Sequence, residues 1–277
     1  MYNELLCNEL CSQIGMPCAE YESAHFEEDD GVVSYNIIKK GETLQSLDEF
    51  AYGTPDGEIN LEALSVVFDE YIQDGYKINK KQAIIDLYRI AVFDYLTLQT
   101  DRNDGNINMV YNSKNKSYKV APLFDNEFAF GTKQFLDLDR GFPYTIKQLE
   151  KECSMNQYVF SMEEFDGHQY MKVHKNMQTM VKYAKKDPEF KQILVDILKK
   201  IDVQKAIEKM ESQGHQVNEE YKKMVIELVE YTKEMIKDEF KKSTTKHDFF
   251  TLLQKYFFHL KKVLIFFIFL INITLFC

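Results

Sequence analysis

The chain of 277 residues is long enough for one large domain or two small ones. Its apolar content of 45%, with 21 Phe and 17 Tyr, excludes wholesale disorder, because so much apolar surface can be buried in a core. A formal charge of −10 and a pI near 5.2 argue against a general nucleic-acid-binding surface. The five cysteines form no C-x-x-C pair and the first residues do not read as a secretion signal, so we expect a reducing, cytoplasmic environment.

The first hundred residues alternate helical patterns with strand patterns. Residues 3–14 predict a helix that ends at Gly15, with Cys7 and Cys11 on one face as small apolar fillers. Residues 32–38 predict a strand, and residues 52–57 are rich in turn formers and predict a loop.

Two helices and a hairpin follow in the middle of the chain. Helices are predicted over residues 61–71 and 81–99 from the spacing of their apolar residues. One face of the second helix would carry Ile84, Leu87, Ala91 and Tyr95. Residues 109–111 and 118–120 predict the two strands of a hairpin around a polar loop.

From residue 163 onward the pattern is almost wholly helical. Asp187 is followed by Pro and Glu, an arrangement typical of a helix start, and Asp202 is a second N-cap candidate. Residues 219–242 predict a long, charged, amphipathic helix.

The C-terminal tail has a different composition. Residues 263–277 carry no charge and follow Lys261 and Lys262, but they fall short of the about 20 apolar residues that a membrane span needs. The tail can therefore be read as a short membrane anchor with the rest of the chain in the cytoplasm, as a buried terminal helix, or as a composition-biased end.

The residues that point to chemistry are Asp101, Asn106 and Asp125. An Asp, an Asn five residues later and a second Asp after a hairpin is the order found in phosphoryl-transfer enzymes. In that arrangement Asp101 would position the attacking hydroxyl, while Asn106 and Asp125 would supply oxygen ligands for magnesium. Arg102 would pair with a nearby acid or with a phosphate.

Residues 93–106 and 121–127 contain the runs Asp-Arg-Asn-Asp-Gly-Asn and Ala-Pro-Leu-Phe-Asp-Asn-Glu, and they resemble the C-terminal kinase domain of HipA-like serine/threonine kinases. Residues 2–5, 14–17 and 31–34 resemble the first helix and hinge strand of that family. The resemblance covers about residues 1–240.

The resemblance implies an α+β, protein-kinase-like two-lobe fold. Residues 1–50 would form a reduced N-lobe, residues 51–245 a mostly helical C-lobe with the site, and residues 246–277 the tail. It further implies ATP and Mg²⁺ as cofactors, phosphoryl transfer to a protein substrate, catalysis by Asp101, and metal binding by Asn106 and Asp125.

The adenine would contact the hinge residues Ser34, Tyr35 and Asn36. In the family a Gly-rich loop and a Lys precede the first helix, and neither lies upstream in this sequence. We expect that a separate small protein supplies this part, that the chain is shortened, or that the chain binds nucleotide without transferring phosphate. Two alternatives to a kinase therefore stay open: a non-catalytic pseudokinase or interaction module, with or without a membrane anchor, and, more distantly, a lipid kinase.

Overall fold

The computed structural model describes residues 2–27, 29–50, 61–99, 102, 106–131, 162–165, 170–173 and 177–241. The chain divides into two compact units, residues 1–234 and 235–277. In the second unit only residues 235–241, the end of a helix, are described. The fold and the site described below belong to the first unit. The loop predicted at residues 52–57 and the tail at residues 263–277 lie outside the described residues.

The first helix, α1, spans Tyr2–Ile14, as the sequence predicted. Gly15 ends it with a φ of 62°, and the N–H groups of Gly15 and Met16 donate to the carbonyls of Ser12 and Cys11. These two bonds satisfy carbonyls that the helix end leaves unpaired. The chain can form them only when residue 15 is left-handed, a conformation that Gly adopts without strain. Cys7 and Cys11 are buried in α1 as free thiols, and burial raises the pKa of both.

A two-stranded hairpin follows, with β1 at Tyr21–Phe26 and β2 at Asp29–Ser34. The strand predicted at residues 32–38 therefore ends at Ser34, earlier than expected. The residues after Ser34 do not continue the strand, because the Asn36 side chain accepts a hydrogen bond from the N–H of Ile38 and forms a local turn.

A four-stranded sheet lies next in the fold. Its strands are β3 at Glu42–Ser46, β4 at Lys77–Ile78, β5 at Asn108–Asn112 and β6 at Ser117–Val120, in the spatial order β3-β5-β6-β4. The β5–β6 hairpin confirms the sequence prediction. Strand β3 pairs with β5, so residues on both sides of position 50 share one sheet. The domain boundaries taken from the resemblance stay predictions.

The helices that precede this hairpin are the short α2 at Leu47–Phe50, α3 at Leu61–Gln73 and α4 at Lys80–Leu96. Helix α4 ends three residues before its predicted end, since Thr97 closes it as the C-cap. The prediction of one apolar face is only partly correct. Leu87 and Ala91 are buried, whereas Ile84 and Tyr95 are half-buried, and residues 90–94 are buried around the whole helix. Helix α4 is thus a core helix.

The last third of the described chain is helical with one exception. Strands β7 at Met162–Phe165 and β8 at Tyr170–Val173 form an antiparallel hairpin, where the sequence predicted helix. Helices α5 at Met177–Lys186, α6 at Pro188–Lys200 and α7 at Val203–Ser212 follow, and α8 covers residues 219–241. Asp187 and Asp202 are N-caps, as predicted.

The core lies where α1 packs against α6 and α7 and where α4 packs against α3, α5 and α6. Its members are apolar residues such as Leu6, Leu10, Leu87, Val92 and Ile207. The predicted α+β class is confirmed. Within the described residues, no helix is long and apolar enough to cross a membrane.

Candidate functional site

The β5–β6 hairpin brings two of the predicted site residues to one end of the sheet. Asn106 precedes β5 by two residues, and Asp125 follows the end of β6 by five. Since the start of β5 and the end of β6 lie at the same end of an antiparallel pair, both residues emerge there. Asp101 lies outside the described residues.

Asp125 adopts a left-handed backbone conformation with φ of 58°. Its carbonyl accepts hydrogen bonds from Gln99 Nε2 at 3.2 Å and Arg102 Nη1 at 3.2 Å, and its N–H donates to the Tyr21 hydroxyl at 3.3 Å. Among the described residues none donates a hydrogen bond to its half-buried carboxylate. The main chain of Asp125 is held on both sides while its carboxylate stays available.

Arg102 uses all five of its N–H donors within this site. Nε and Nη2 reach the two carboxylate oxygens of Asp94 at 3.1 and 3.2 Å. Nη1 donates to the carbonyls of Phe124 at 2.6 Å and Asp125 at 3.2 Å, and Nη2 also donates to Asn126 Oδ1 at 2.7 Å. The Arg102 side chain is 0% exposed. Its predicted partner is therefore an acid, Asp94, and no donor is left over for a phosphate.

Asn126 links the segment after Asp125 to helix α1. Its N–H donates to Glu4 Oε1 at 2.8 Å and its Nδ2 to Glu4 Oε2 at 3.2 Å. The Tyr21 hydroxyl also hydrogen-bonds the Glu4 carboxylate. Asn126 is therefore fixed by Glu4 on one side and by Arg102 on the other.

The main chain on either side of Asp125 is held as well. Leu123 pairs with the residues around Cys18, through an N–H bond to Pro17 at 2.9 Å and a carbonyl bond from Ala19 at 2.7 Å. The carbonyls of residues 97 and 98 accept the N–H groups of residues 130 and 131. Leu98 and Phe130 join Asp125 in the left-handed region, with φ of 46° and 60°. Backbone strain gathered in this way is common at functional sites, because the surrounding contacts have to impose it.

The electrostatics of the site favour a cation. Burial raises the pKa of Glu4, and the negative charge of Asp125 raises it further. Burial also raises the pKa of Asp94, and the two-pronged contact with Arg102 opposes part of this rise. The carboxyl groups of Asp94 and Asp125 thus act on a single guanidinium, and Glu4 lies on the other side of Asn126, so a further positive charge would be stabilised there.

Of the predicted hinge residues, Ser34 is the last residue of β2, and Tyr35 and Asn36 follow it. Ser34 pairs with Tyr21, whose hydroxyl contacts Asp125, so the end of β2 is linked to the segment that carries Asp125. Tyr35 donates its N–H to Glu20 and its side chain is 55% exposed. Tyr35 and Tyr21 also line a cleft of about 550 Å³ between α1, β1 and α7, whereas Asn106 and Asp125 do not. The assignment of Ser34, Tyr35 and Asn36 to adenine stays a prediction.

Glu4, Tyr21, Asp94 and Asn126 were not among the site residues predicted from the sequence. Glu4 and Asn126 are separated by 122 positions, a distance at which local patterns carry no information about contact. A hint was present for Asp94 alone, because an acid in the apolar second half of α4 has to find a buried partner.

The donor set fits magnesium, although the described residues hold no group of three or more His, Cys, Asp or Glu side chains placed to bind a metal. Magnesium in phosphoryl-transfer sites takes one or two protein carboxylates or amides, and the remaining ligands come from phosphates and water. The carboxylate of Asp125, which accepts no hydrogen bond from the described residues, and the amide of Asn106 at the same end of the hairpin are donors of this kind.

No protein-family model matches the chain, and no curated protein sequence matches it. The fold resembles the crystal structure of the Helicobacter pylori proinflammatory kinase CtkA, with a TM-score of 0.61 and 15% identity over 87% of this chain and 82% of that one. It also resembles HipA of Shewanella oneidensis MR-1, solved with HipB and operator DNA, with a TM-score of 0.54 and 14% identity. That match covers 87% of this chain and 57% of HipA. The chain therefore has a HipA-like kinase fold, as the resemblance in its sequence implied.

Proposed function

We propose that this chain is a HipA-like serine/threonine kinase domain, which transfers a phosphoryl group from ATP to a protein hydroxyl with the help of magnesium. Asp125 is the observation that carries the proposal. Its carboxylate lacks a hydrogen-bond donor among the described residues, while its main chain is held by Arg102 and Tyr21. This arrangement occurs at the hairpin end that Asn106 shares, within a fold similar to two kinases.

Each residue has a distinct role in the proposal. Asn106 and Asp125 hold the magnesium ion, which when bound neutralises charge on the nucleotide phosphates. Asp101 accepts a hydrogen bond from the substrate hydroxyl and orients it. The main chain of residues 34–36 contacts the adenine. Arg102 fixes Asp125 and does not contact substrate, because its donors are all occupied.

We further propose a partner of this chain: a separate small protein that contributes the Gly-rich loop and the Lys for the phosphates. Strand β2 supports this, because its only strand partner among the described residues is β1. Val33 and Tyr35, at the end of β2, expose 52% and 55% of their surface. An additional strand along β2 would bring a phosphate-binding loop to the site by sheet extension. We place the complex in the cytoplasm.

Isothermal titration with Mg²⁺ and the ATP analogue AMP-PNP tests the nucleotide site. We expect the full chain to bind, and Asp125→Asn to weaken binding by roughly 100-fold, because it removes the charged ligand and keeps the side-chain shape. Asp69→Asn is the matched control, since Asp69 is an exposed acid paired with Lys80. Absence of binding by the wild type, or equal binding by Asp125→Asn, would contradict the proposal.

Phosphoryl transfer needs its own assay. With cytoplasmic extract as the source of the partner, the full chain should label a generic Ser/Thr protein substrate from γ-labelled ATP above the level of the extract alone, and Asp101→Asn should abolish this increase while AMP-PNP binding persists. If the wild type binds the nucleotide but transfers no phosphate, alone or with cytoplasmic extract, the chain is a nucleotide-binding module without kinase activity.

A further inference from the structure

The N-terminal turn of α1 contacts the segment that follows Asp125. Glu4 accepts two hydrogen bonds from Asn126, one from the main chain and one from the side chain. Its neighbour Asn3 donates through Nδ2 to the carbonyls of Glu127 and Ala129. Two consecutive residues of α1 therefore hold residues 126–129.

These contacts are shielded from water. Glu4 is 7% exposed and Asn126 is 1% exposed. Water cannot readily replace a bond lost at such depth, so the two N–H groups of Asn126 that donate to Glu4 depend on it, and only a weak 4.0 Å contact of Nδ2 with Cys18 Sγ lies beside them. Since Asn126 also accepts from Arg102, the two partners determine both the position and the rotamer of the residue next to Asp125.

We propose that Glu4 is a positioning residue for Asp125, acting through Asn126, so that tight binding of a divalent cation requires α1 to be docked on this segment. The inference rests on the proposed function, because it takes Asp125 as a ligand of the cation. It adds that the metal site is controlled from α1, a helix that contributes no ligand itself. Displacement of α1 would weaken the site by releasing Asn126 and Asp125, without any substitution at Asp125.

The Glu4–Asn126 contact can be reversed by two substitutions, so that the hydrogen-bond donor and acceptor exchange places. Glu4→Gln keeps the shape but turns one acceptor into an amide donor, which then faces the Nδ2 donor of Asn126. Asn126→Asp turns that donor into a carboxylate, which then faces the carboxylate of Glu4. In the double variant, residue 4 donates to residue 126, Arg102 keeps its acceptor at residue 126, and the net charge equals that of the wild type.

The test is titration calorimetry with AMP-PNP, once with Mg²⁺ and once with EDTA, on full-length variants whose folding is checked by circular dichroism. Either single variant should weaken Mg²⁺-dependent binding by about 10-fold or more, as substitutions behind metal ligands do. Binding in EDTA should stay within about twofold, since Glu4 is buried behind Asn126 and acts in this proposal only through the cation site. The double variant should return to within about threefold of the wild type.

Asp69→Asn is the matched control, since Asp69 is an exposed acid on α3 that pairs with Lys80. It should bind as the wild type does. The inference is overturned if Glu4→Gln, when folded, keeps wild-type Mg²⁺-dependent binding, if both conditions weaken equally, or if the double variant is no better than the single ones. If Asp125→Asn also binds as the wild type does, the proposed function fails first, so the two failures are distinguishable.

Discussion

Replacement of Arg102 provides a quantitative test of how Asp125 is held. The guanidinium is 0% exposed and pairs with Asp94, whose side chain is 5% exposed. Arg102→Met removes all five donors at once. Asp94 then remains as a buried carboxylate that accepts from no other described residue.

The expected loss follows from the partners left behind. Breaking a buried ion pair by removing one member costs about 3–5 kcal/mol in the free energy of unfolding, because the other charge stays buried. Arg102→Lys keeps the charge but offers three donors in place of five. At least two of the five acceptors then lose their hydrogen bond from residue 102. Since Asp125 keeps its bond from Gln99, we expect at least one unsatisfied acceptor and a loss of about 1–3 kcal/mol.

Equilibrium unfolding in urea, followed by far-UV circular dichroism because the chain contains no Trp, measures these losses. The double variant Arg102→Met with Asp94→Asn is the control, since it removes both charges. It should regain about 2 kcal/mol relative to Arg102→Met, the difference between a buried unpaired charge and a buried unpaired amide. A loss below about 1 kcal/mol for Arg102→Met, or no gain from Asp94→Asn, would refute the reasoning.

Two further predictions concern helix ends. The Asp202 side chain accepts from the N–H of Lys205, and this bond lowers the pKa of Asp202. Asp202→Ala should cost about 1 kcal/mol at neutral pH. A pKa that is lowered in the folded chain contributes its full stabilisation above the ordinary pKa of an Asp, about 4, and this stabilisation is lost as the pH falls through the folded pKa. The loss of stability in Asp202→Ala should therefore vanish in acid. A loss that persists in acid would contradict this reasoning. Gly15→Ala should lower stability by about 1–2 kcal/mol, since Gly15 has φ of 62°, although a Cβ there meets no atom within 4 Å. Gly31→Ala, equally open but without a positive φ, should be nearly neutral in thermal unfolding, and equal losses at both glycines would exclude backbone strain as the cause.

The elements that the sequence predicted well are those whose determinants are local. Helix α1 has its Gly15 ending, Asp187 and Asp202 have their capping positions, and the β5–β6 hairpin has alternating residues on both sides of a polar turn. The β7–β8 hairpin was predicted as helix because four-residue strands give too short a pattern to outweigh a helical neighbourhood. Strand β3 was missed for a related reason. Its partner β5 lies more than sixty positions away, and pairing with that strand stabilises it rather than its own composition.

The residues of the candidate site show the same difference between local and long-range determinants. Asn106 and Asp125 were chosen from their spacing in the chain, and the β5–β6 hairpin brings both to one end of the sheet, while their role as metal ligands stays a prediction. Glu4 was read only as part of the first helix, although it holds the residue after Asp125. Its role depends on the docking of α1, which is determined by apolar contacts with α6 and α7 far along the chain. Ligands that must approach one ion are constrained to a fixed local order, whereas the residues that hold them can come from any element that the core brings close. A sequence pattern therefore indicates the chemistry of such a site before it indicates the residues that hold it, and here we propose that those residues lie in α1.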